Sequence, residues 1–388
     1  MSTPIDPFHT MGISRIAHAM KAAGKSVIHM EFGQPSTGAP AAAIAEAHRV
    51  LDIDGMGYWE SPGLKARIAR HYRTTYGLDV SPDRILLTCG ASPGLVIALS
   101  AAFKPGDRIG VARPGYVAYR NAIRALKLEP LEIACGAETG FHLTAAHIAD
   151  IDPPPEGMII ASPANPTGAI IPGAELARVA ETCRARGVRI ISDEIYHGLS
   201  YGEPERCMLA FDPDAIVINS FSKYFSMAAW RLGWMVVPEA EVEHYRAYNA
   251  NLFLTPPSLS QHAALVTMDC EADLQANLAV YVRNRQIMLD ALPSLGVEAI
   301  APPDGAFYIY ADVGHMTDDS LAFCEAMVRE TGVAAATGLD FDPVDGRRFV
   351  RFSFAVSTAE VEDAKERLRP WFAVRRDAVL SATTGAAG

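Results

Sequence analysis

The stretch Ala215–Val237, AIVINSFSKYFSMAAWRLGWMVV, holds one lysine between two short apolar runs. AIVINSF and LGWMVV have the β-branched and apolar character of strands buried on both faces. They lie too close together for a full crossover helix, so the second strand is expected to run antiparallel, at one edge of a sheet. Lys223 comes directly after the first strand, flanked by Ser220 and Ser222, with Arg231 eight residues on. Such a lysine is either a solvated side chain at the start of a helix or an amine kept partly unprotonated by burial, able to condense with a carbonyl.

Similar runs recur upstream: RILLTC (84–89), RIGVAR (108–113), GMIIASP (157–163) and RIISDEIY (189–196). Between them lie segments with helical periodicity, such as GLVIALSAAF (94–103) and GAELARVAETCRARG (173–187). Strands alternating with helices indicate an α/β fold, with a mostly parallel sheet covered on both faces. After about residue 275 the texture changes. A long charged helix (272–292) leads to an α+β segment containing GAFYIYADV and RRFVRFSFAV. The expected division is an N-terminal arm contributing to a small domain (1–45), a large domain (46–275) and a small C-terminal domain (276–388).

Bulk composition narrows the function. The 388 residues are 49% hydrophobic and 20% charged, an ordinary globular balance. A formal net charge of −11 argues against nucleic-acid or anionic-membrane partners, which require clustered lysine and arginine. The start lacks a basic flank followed by an apolar core, so no signal peptide is expected, and no apolar run is long enough to span a membrane. Six cysteines are scattered without a CxxC pair, and the histidines show no HExxH-type spacing. Reduced thiols, no metal and a cytoplasmic location are the expectation.

Ligands of open parallel sheets sit beyond the carboxyl ends of the strands, and polar residues gather there in this chain. After RILLTC the turn GASPGL offers the amides of Ala91 and Ser92, at a helix N-terminus, to an anion such as phosphate. RIGVARPGY places Tyr116 beyond its strand. GMIIASPANPTG ends in Asn165, either a turn residue or an amide at the rim. RIISDEIY ends in Asp193, with Tyr196 three residues on; a carboxylate there is an N-cap, a structural ion pair or a functional group. Arg231 is either a surface salt-bridge residue or, with Ser220, Ser222 and the phosphate turn, part of a dianion site. Lysine, carboxylate, phenol, amide, aromatic plane and phosphate cradle together describe the surroundings of a phosphorylated pyridine aldehyde.

On these residues the chain resembles the class I/II, fold-type I aminotransferases that use pyridoxal phosphate. SFSKYFSMAAWRLGW is similar to their lysine signature, and the likeness runs from EFGQPSTGAP (31–40) to RFVRFSFA (348–355), nearly the whole chain. The resemblance implies a seven-stranded large-domain sheet and a smaller α+β domain. It implies that Lys223 is the amine joined to the cofactor and the general acid/base of the reaction. Asp193 would pair with the pyridine nitrogen, Tyr196 and Asn165 would bond the ring hydroxyl, and Tyr116 would stack on the ring. Ala91, Ser92, Ser220, Ser222 and Arg231 would hold the phosphate. Arg351 would fork onto the substrate α-carboxylate, which Gly33 approaches through its backbone. Tyr58 would reach the phosphate of a partner subunit, which implies a homodimer with shared sites. Two departures stand out: the segment after Tyr58 is shorter than usual, and the phosphate turn carries Cys89 and Pro93.

Three functions remain open at this level. The leading one is ping-pong exchange of an amino group between an L-amino acid and a 2-oxo acid. A lyase cleaving a β-substituent such as a thiol would use the same residues. A pyridoxal-phosphate-binding regulatory module would need an added DNA-binding domain, for which the first residues are too few. Phe32, Tyr116, Phe307 and Tyr308 are either aromatic walls of a pocket or core packing, and no second arginine is placed for a side-chain carboxylate. A neutral amino acid, with 2-oxoglutarate or pyruvate as acceptor, is the resulting preference.

Overall fold

The computed structural model describes residues 5–385, with side chains to residue 376. The chain opens with α1 (Thr10–Ala22), the two-residue β1 (Ile28–His29), α2 (Ala41–Leu51) and α3 (Pro62–Tyr76). An alternating region follows: β2 (Ile85–Thr88), α4 (Ala91–Ala102), β3 (Arg108–Arg113), α5 (Val117–Ala125), β4 (Glu129–Ala134) and α6 (Ala145–Ala149). It continues through β5 (Gly157–Ala161), α7 (Gly173–Ala185), β6 (Arg189–Asp193), β7 (Ile216–Ser220) and β8 (Gly233–Val236). Helices α8 (Val242–Phe253), α9 (Ser258–Thr267) and α10 (Glu271–Ala291) lead to β9 (Tyr308–Asp312) and α11 (Ser320–Thr331). The short β10 (Val333–Ala334) and β11 (Ala336–Thr337), then β12 (Phe349–Ser353) and α12 (Thr358–Gly385), complete it.

Seven strands form one sheet in the order β2-β8-β7-β6-β5-β3-β4. All neighbouring pairs are parallel except the two made by β8, which is antiparallel to both β2 and β7. The strand after Lys223 is therefore reversed as expected, but it is interior, not at the edge: β2 lies outside it. The cause is burial. All four residues of β8 are buried; Trp234 enters the core on one face of the sheet and Met235 the core on the other. An edge position would waste one row of its backbone hydrogen bonds.

The sheet is apolar on both faces because successive residues point opposite ways. Ile85, Leu87, Ile190 and Val217 pack on one side, and Leu86, Ile191, Ile216 and Ile218 on the other. Each such side chain, when fully buried, contributes roughly 1.5–3 kcal/mol. A second core gathers Ile13 of α1, Tyr281 of α10, Phe323 of α11, Phe352 of β12 and Phe372 of α12. It covers a three-stranded antiparallel sheet, β11-β12-β9. The arm joins this second core, since β1 pairs with β10 in parallel and α1 packs on α11. Helix α2 instead packs on α9, with Ala43 and Ala47 in the core of the large sheet. Ser61 caps α3, its Oγ accepting from Leu64 N–H at 3.1 Å, and so fixes where the loop carrying Tyr58 ends.

Candidate active site

Because β8 alone is reversed, β2, β3, β5, β6 and β7 all end on one rim. Between that rim and strands β9 and β12 lies a cavity of about 390 Å³. Ala91, Ser92, Tyr116, Asn165, Asp193, Tyr196, Ser220, Ser222, Lys223, Arg231, Gly33 and Arg351 all line it. Tyr58 does not: it is 84% exposed on the surface of this chain.

Lys223 sits in the turn after β7, with no helix following it directly, and is part-buried. Its Nζ donates to the Gly33 carbonyl at 2.6 Å and lies 5.7 Å from the centre of the Tyr196 ring and 5.8 Å from that of Phe307. Burial pushes the amine down to about 8; Arg351 and Arg231 push the same way, and Asp193 opposes them. At neutral pH a fraction of it is therefore unprotonated, unlike an ordinary lysine. Asp193 ends β6 as a buried carboxylate. Tyr119 Oη donates to its Oδ2 at 2.5 Å and the Ile195 N–H to its Oδ1 at 3.2 Å. Burial raises its pKa, while those two hydrogen bonds and the charge of Lys223 hold it down. A cation at this carboxylate would favour its charged form further.

At the other end of the cavity the residues form an anion cradle. Helix α4 starts at Ala91, so the backbone amides of Ala91 and Ser92 and the positive end of its dipole border the cavity. Ser220 Oγ donates to Ser222 Oγ at 2.9 Å and accepts from the Ser222 N–H at 3.1 Å. Arg231, held in the left-handed region at φ 53°, donates only to the carbonyls of Ala228 (3.0 Å) and Cys89 (3.3 Å). Among the described residues it has no carboxylate partner. Gly90 precedes α4 with φ 103°, and a Cβ there would stand 2.5 Å from Arg231 Nη2, so glycine leaves room for the guanidinium.

Arg351, on β12, is 3% exposed and has no acidic partner among the described residues. Its Nη1 donates to Asn165 Oδ1 at 2.7 Å and its Nη2 to the Glu31 carbonyl at 2.5 Å, while Nε is buried without a partner. The guanidinium lies 4.4 Å from the centre of the Tyr308 ring and 4.7 Å from that of Phe341. A buried cation held by rings and neutral oxygens is costly unless an anion joins it. Tyr308 also exchanges a hydrogen bond with Tyr196, Oη to Oη at 2.8 Å. A Cβ at Gly33 would overlap Tyr308 Oη, so the close approach there requires glycine.

Sequence reasoning missed Tyr119 and Phe8. Tyr119 lies three residues beyond Tyr116 on α5, and that spacing, one helical turn past a rim aromatic, was the available signal. Phe8 lines the cavity from the start of the chain, and nothing local marks it. Of the expected aromatic walls, Phe32, Tyr116 and Tyr308 line the cavity, whereas Phe307 is fully buried behind Lys223.

Pyridoxal phosphate carries a dianion, a basic ring nitrogen and an aldehyde. The site fits all three: a cradle with an arginine lacking an acidic partner, a buried carboxylate, and an amine with a lowered pKa. Comparison with known proteins agrees. The family model for aminotransferase class I and II matches residues 25–368. The chain is 44% identical to the valine–pyruvate aminotransferase of Mycobacterium tuberculosis, covering 95% of this chain and 96% of that one. It is 31% identical to the (5-formylfuran-3-yl)methyl phosphate transaminase of Methanocaldococcus jannaschii, covering 94% and 96%. The crystal structure of an aminotransferase from Mycobacterium tuberculosis superposes with a TM-score of 0.93 at 43% identity, over 95% of this chain and 97% of that one. The chain thus belongs to the class I and II aminotransferases, fold-type I enzymes that use pyridoxal phosphate.

Proposed function

We propose that this aminotransferase takes its amino group from a neutral, apolar amino acid and passes it to a 2-oxo acid, with Lys223 as the reacting amine. A charge count carries the reading. Among the described residues the cavity is lined by only four charged side chains, Asp193, Lys223, Arg231 and Arg351. Ring nitrogen, aldehyde, phosphate and substrate α-carboxylate each take one of them. Among the described residues no cation is left for a side-chain carboxylate; Phe8, Phe32, Leu95, Val96 and Ile195 add apolar wall, and Gln34 is an uncharged polar neighbour. The name of the Mycobacterium tuberculosis relative, which pairs valine with pyruvate, supports the same class.

When bound, pyridoxal phosphate supplies an aldehyde for amine capture and an electron-withdrawing ring that acidifies the substrate Cα–H bond. In this reading Ala91, Ser92, Ser220, Ser222 and Arg231 hold the phosphate, and Tyr116 covers the ring face. Asp193 keeps the ring nitrogen protonated, while Tyr196 and Asn165 serve the ring hydroxyl. Arg351 forks onto the α-carboxylate beside Gly33 and fixes the Cα–H bond relative to Lys223. Lys223 Nζ then takes the Cα proton and returns one to the product.

A homodimer completes the account. The loop carrying Tyr58 sits on α9: Gln261 Nε2 donates to the Trp59 carbonyl at 2.8 Å, and Trp59 stacks on His262. Ile53, Tyr58 and Leu254 are exposed, and Thr255 adjoins Cys89 of the phosphate turn. An apolar surface of this kind beside the cradle suits a second copy, whose cradle Tyr58 would reach. All six cysteines are free thiols, which suits the cytoplasm, and no helix among the described residues is long and apolar enough to cross a membrane.

The test is a donor panel of valine, leucine, alanine, phenylalanine, aspartate and glutamate against pyruvate and 2-oxoglutarate, scored by 2-oxo-acid product. Neutral donors are expected to exceed aspartate in kcat/KM by about 10- to 100-fold or more, because an unpaired buried carboxylate would face an apolar wall. Lys223→Ala should abolish this turnover by several orders of magnitude. Aspartate or glutamate as best donor would refute the charge count. Pyruvate and ammonia released from a cysteine conjugate without an acceptor, and no transfer, would indicate the lyase.

A further inference from the structure

Among the described residues, the segment before α1 contributes one side chain to the cavity, Phe8, and is fastened on both sides of it. On one side α5 holds Asp6. The Asp6 carboxylate accepts from Arg120 Nε at 2.8 Å and Arg124 Nη1 at 2.6 Å. The Asp6 backbone pairs with the Asn121 amide, its N–H donating to Oδ1 at 2.9 Å and its carbonyl accepting from Nδ2 at 3.1 Å. On the other side the fully buried carboxylate of Asp340 accepts from the His9 N–H (2.7 Å), the Thr10 N–H (2.8 Å) and the Thr10 hydroxyl (2.5 Å). Helix α1 has no side-chain cap of its own, so Asp340 caps it from 330 residues away, where a carboxylate also complements the helix dipole. Arg120 joins the two fastenings, since its Nη2 donates to the Asp340 carbonyl at 3.1 Å.

This fastening also says which part of the cavity Phe8 serves. Phe341, the neighbour of Asp340, packs under the Arg351 guanidinium. The segment is therefore tied to the side of the cavity that receives the substrate carboxylate. Ala118 and Ala122, four residues apart on α5, and Leu95 of α4 add apolar lining elsewhere in the cavity. We infer that Phe8 is a specificity-determining residue whose ring packs against the side chain of the amino acid, and that Asp6, Arg120 and Asp340 position it. The inference rests on the neutral-substrate reading above and adds the element that enforces it. Holding the ring in place beforehand means that binding need not order a free chain terminus.

The experiment measures binding of two unreactive carboxylates to the holoenzyme by calorimetry: 3-methylbutanoate, which carries a branched side chain, and acetate, which carries none. Phe8→Ala should weaken 3-methylbutanoate about tenfold and raise the KM for valine similarly, with kcat little changed, as expected for a lost apolar contact. Acetate binding should stay as in the wild type. Asp6→Ala, which frees the segment but keeps the ring, should shift both in the same direction, and Phe8→Leu should recover most of the affinity. Equal affinities of wild type and Phe8→Ala for 3-methylbutanoate, or parallel losses for both carboxylates, would overturn the inference. A wild type that binds acetate as tightly as 3-methylbutanoate would overturn the neutral-substrate reading as well.

Discussion

Replacing Gly90 by alanine perturbs the anion cradle without deleting any group that touches the anion. Gly90 has φ 103° and ψ 174°, a region essentially reserved to glycine, and a side chain there costs about 1–3 kcal/mol in backbone strain. That penalty falls on the fold and should lower Tm. The second effect is local. The new methyl would stand 2.5 Å from Arg231 Nη2 and 3.1 Å from its Cζ. A guanidinium ends a flexible side chain, so the clash is relieved easily, but only by moving the cation away from the start of α4. If Arg231 holds the phosphate as proposed, losing that one charge-assisted pair removes about 1.5–3 kcal/mol, or about 10- to 150-fold in affinity. The assay titrates apoenzyme with pyridoxal phosphate and, separately, with pyridoxal, following absorbance of the complex. The variant should lose affinity for the phosphorylated ligand by that factor and bind pyridoxal as the wild type does. Equal losses for the two ligands, or none for pyridoxal phosphate, would refute the reasoning.

Two further outcomes follow from the same geometry. Arg351→Lys keeps a positive charge but loses the fork that now spans Asn165 and the Glu31 carbonyl, so the KM for both amino acid and 2-oxo acid should rise about 10- to 100-fold in steady-state assays. Unchanged KM values would remove this residue from carboxylate binding. If Lys223 is the reacting amine proposed above, it must react unprotonated, and burial lowers its pKa to about 8. Uptake of pyridoxal phosphate by apoenzyme should therefore accelerate with rising pH, with a midpoint near 8, and level off above it. A rate still climbing toward the ordinary lysine value of 10.5 would show an amine less buried than the structure indicates.

The sheet and most of the rim were legible because sequence order maps onto space there. Each buried strand delivers its next polar residue to the same edge, so Asn165, Asp193 and Ser220 could be grouped without coordinates. Strand order was less legible: the reversal of β8 followed from a short connection, but its interior position depends on pairing with β2, which lies far upstream. Long-range partnerships were hidden for the same reason. Asn165 and Arg351 are separated by 186 positions and Thr10 and Asp340 by 330; the first contact joins the two cores, and the second exists only once the amino-terminal arm packs into the C-terminal one. Tyr119 escaped notice because a tyrosine inside an amphipathic helix reads as ordinary packing, and only the buried carboxylate beside it gives its hydroxyl a purpose.

The reversed strand has a consequence for how the loop carrying Lys223 can change over evolutionary time. Gly233 lies opposite both Thr88 and Ser220, and a methyl on it would press against Asn219 O, Gly90 C and Ala91 N at 2.7, 3.0 and 3.2 Å. Two stretches remote in the chain are thereby riveted at one point with no spare thickness. The loop from 221 to 232 is anchored at its entry and exit like a buckle of fixed length. Lengthening it would displace Ser222, Lys223 and Arg231 together, whereas cavity walls outside it, such as the one Phe8 contributes, can change without moving that loop.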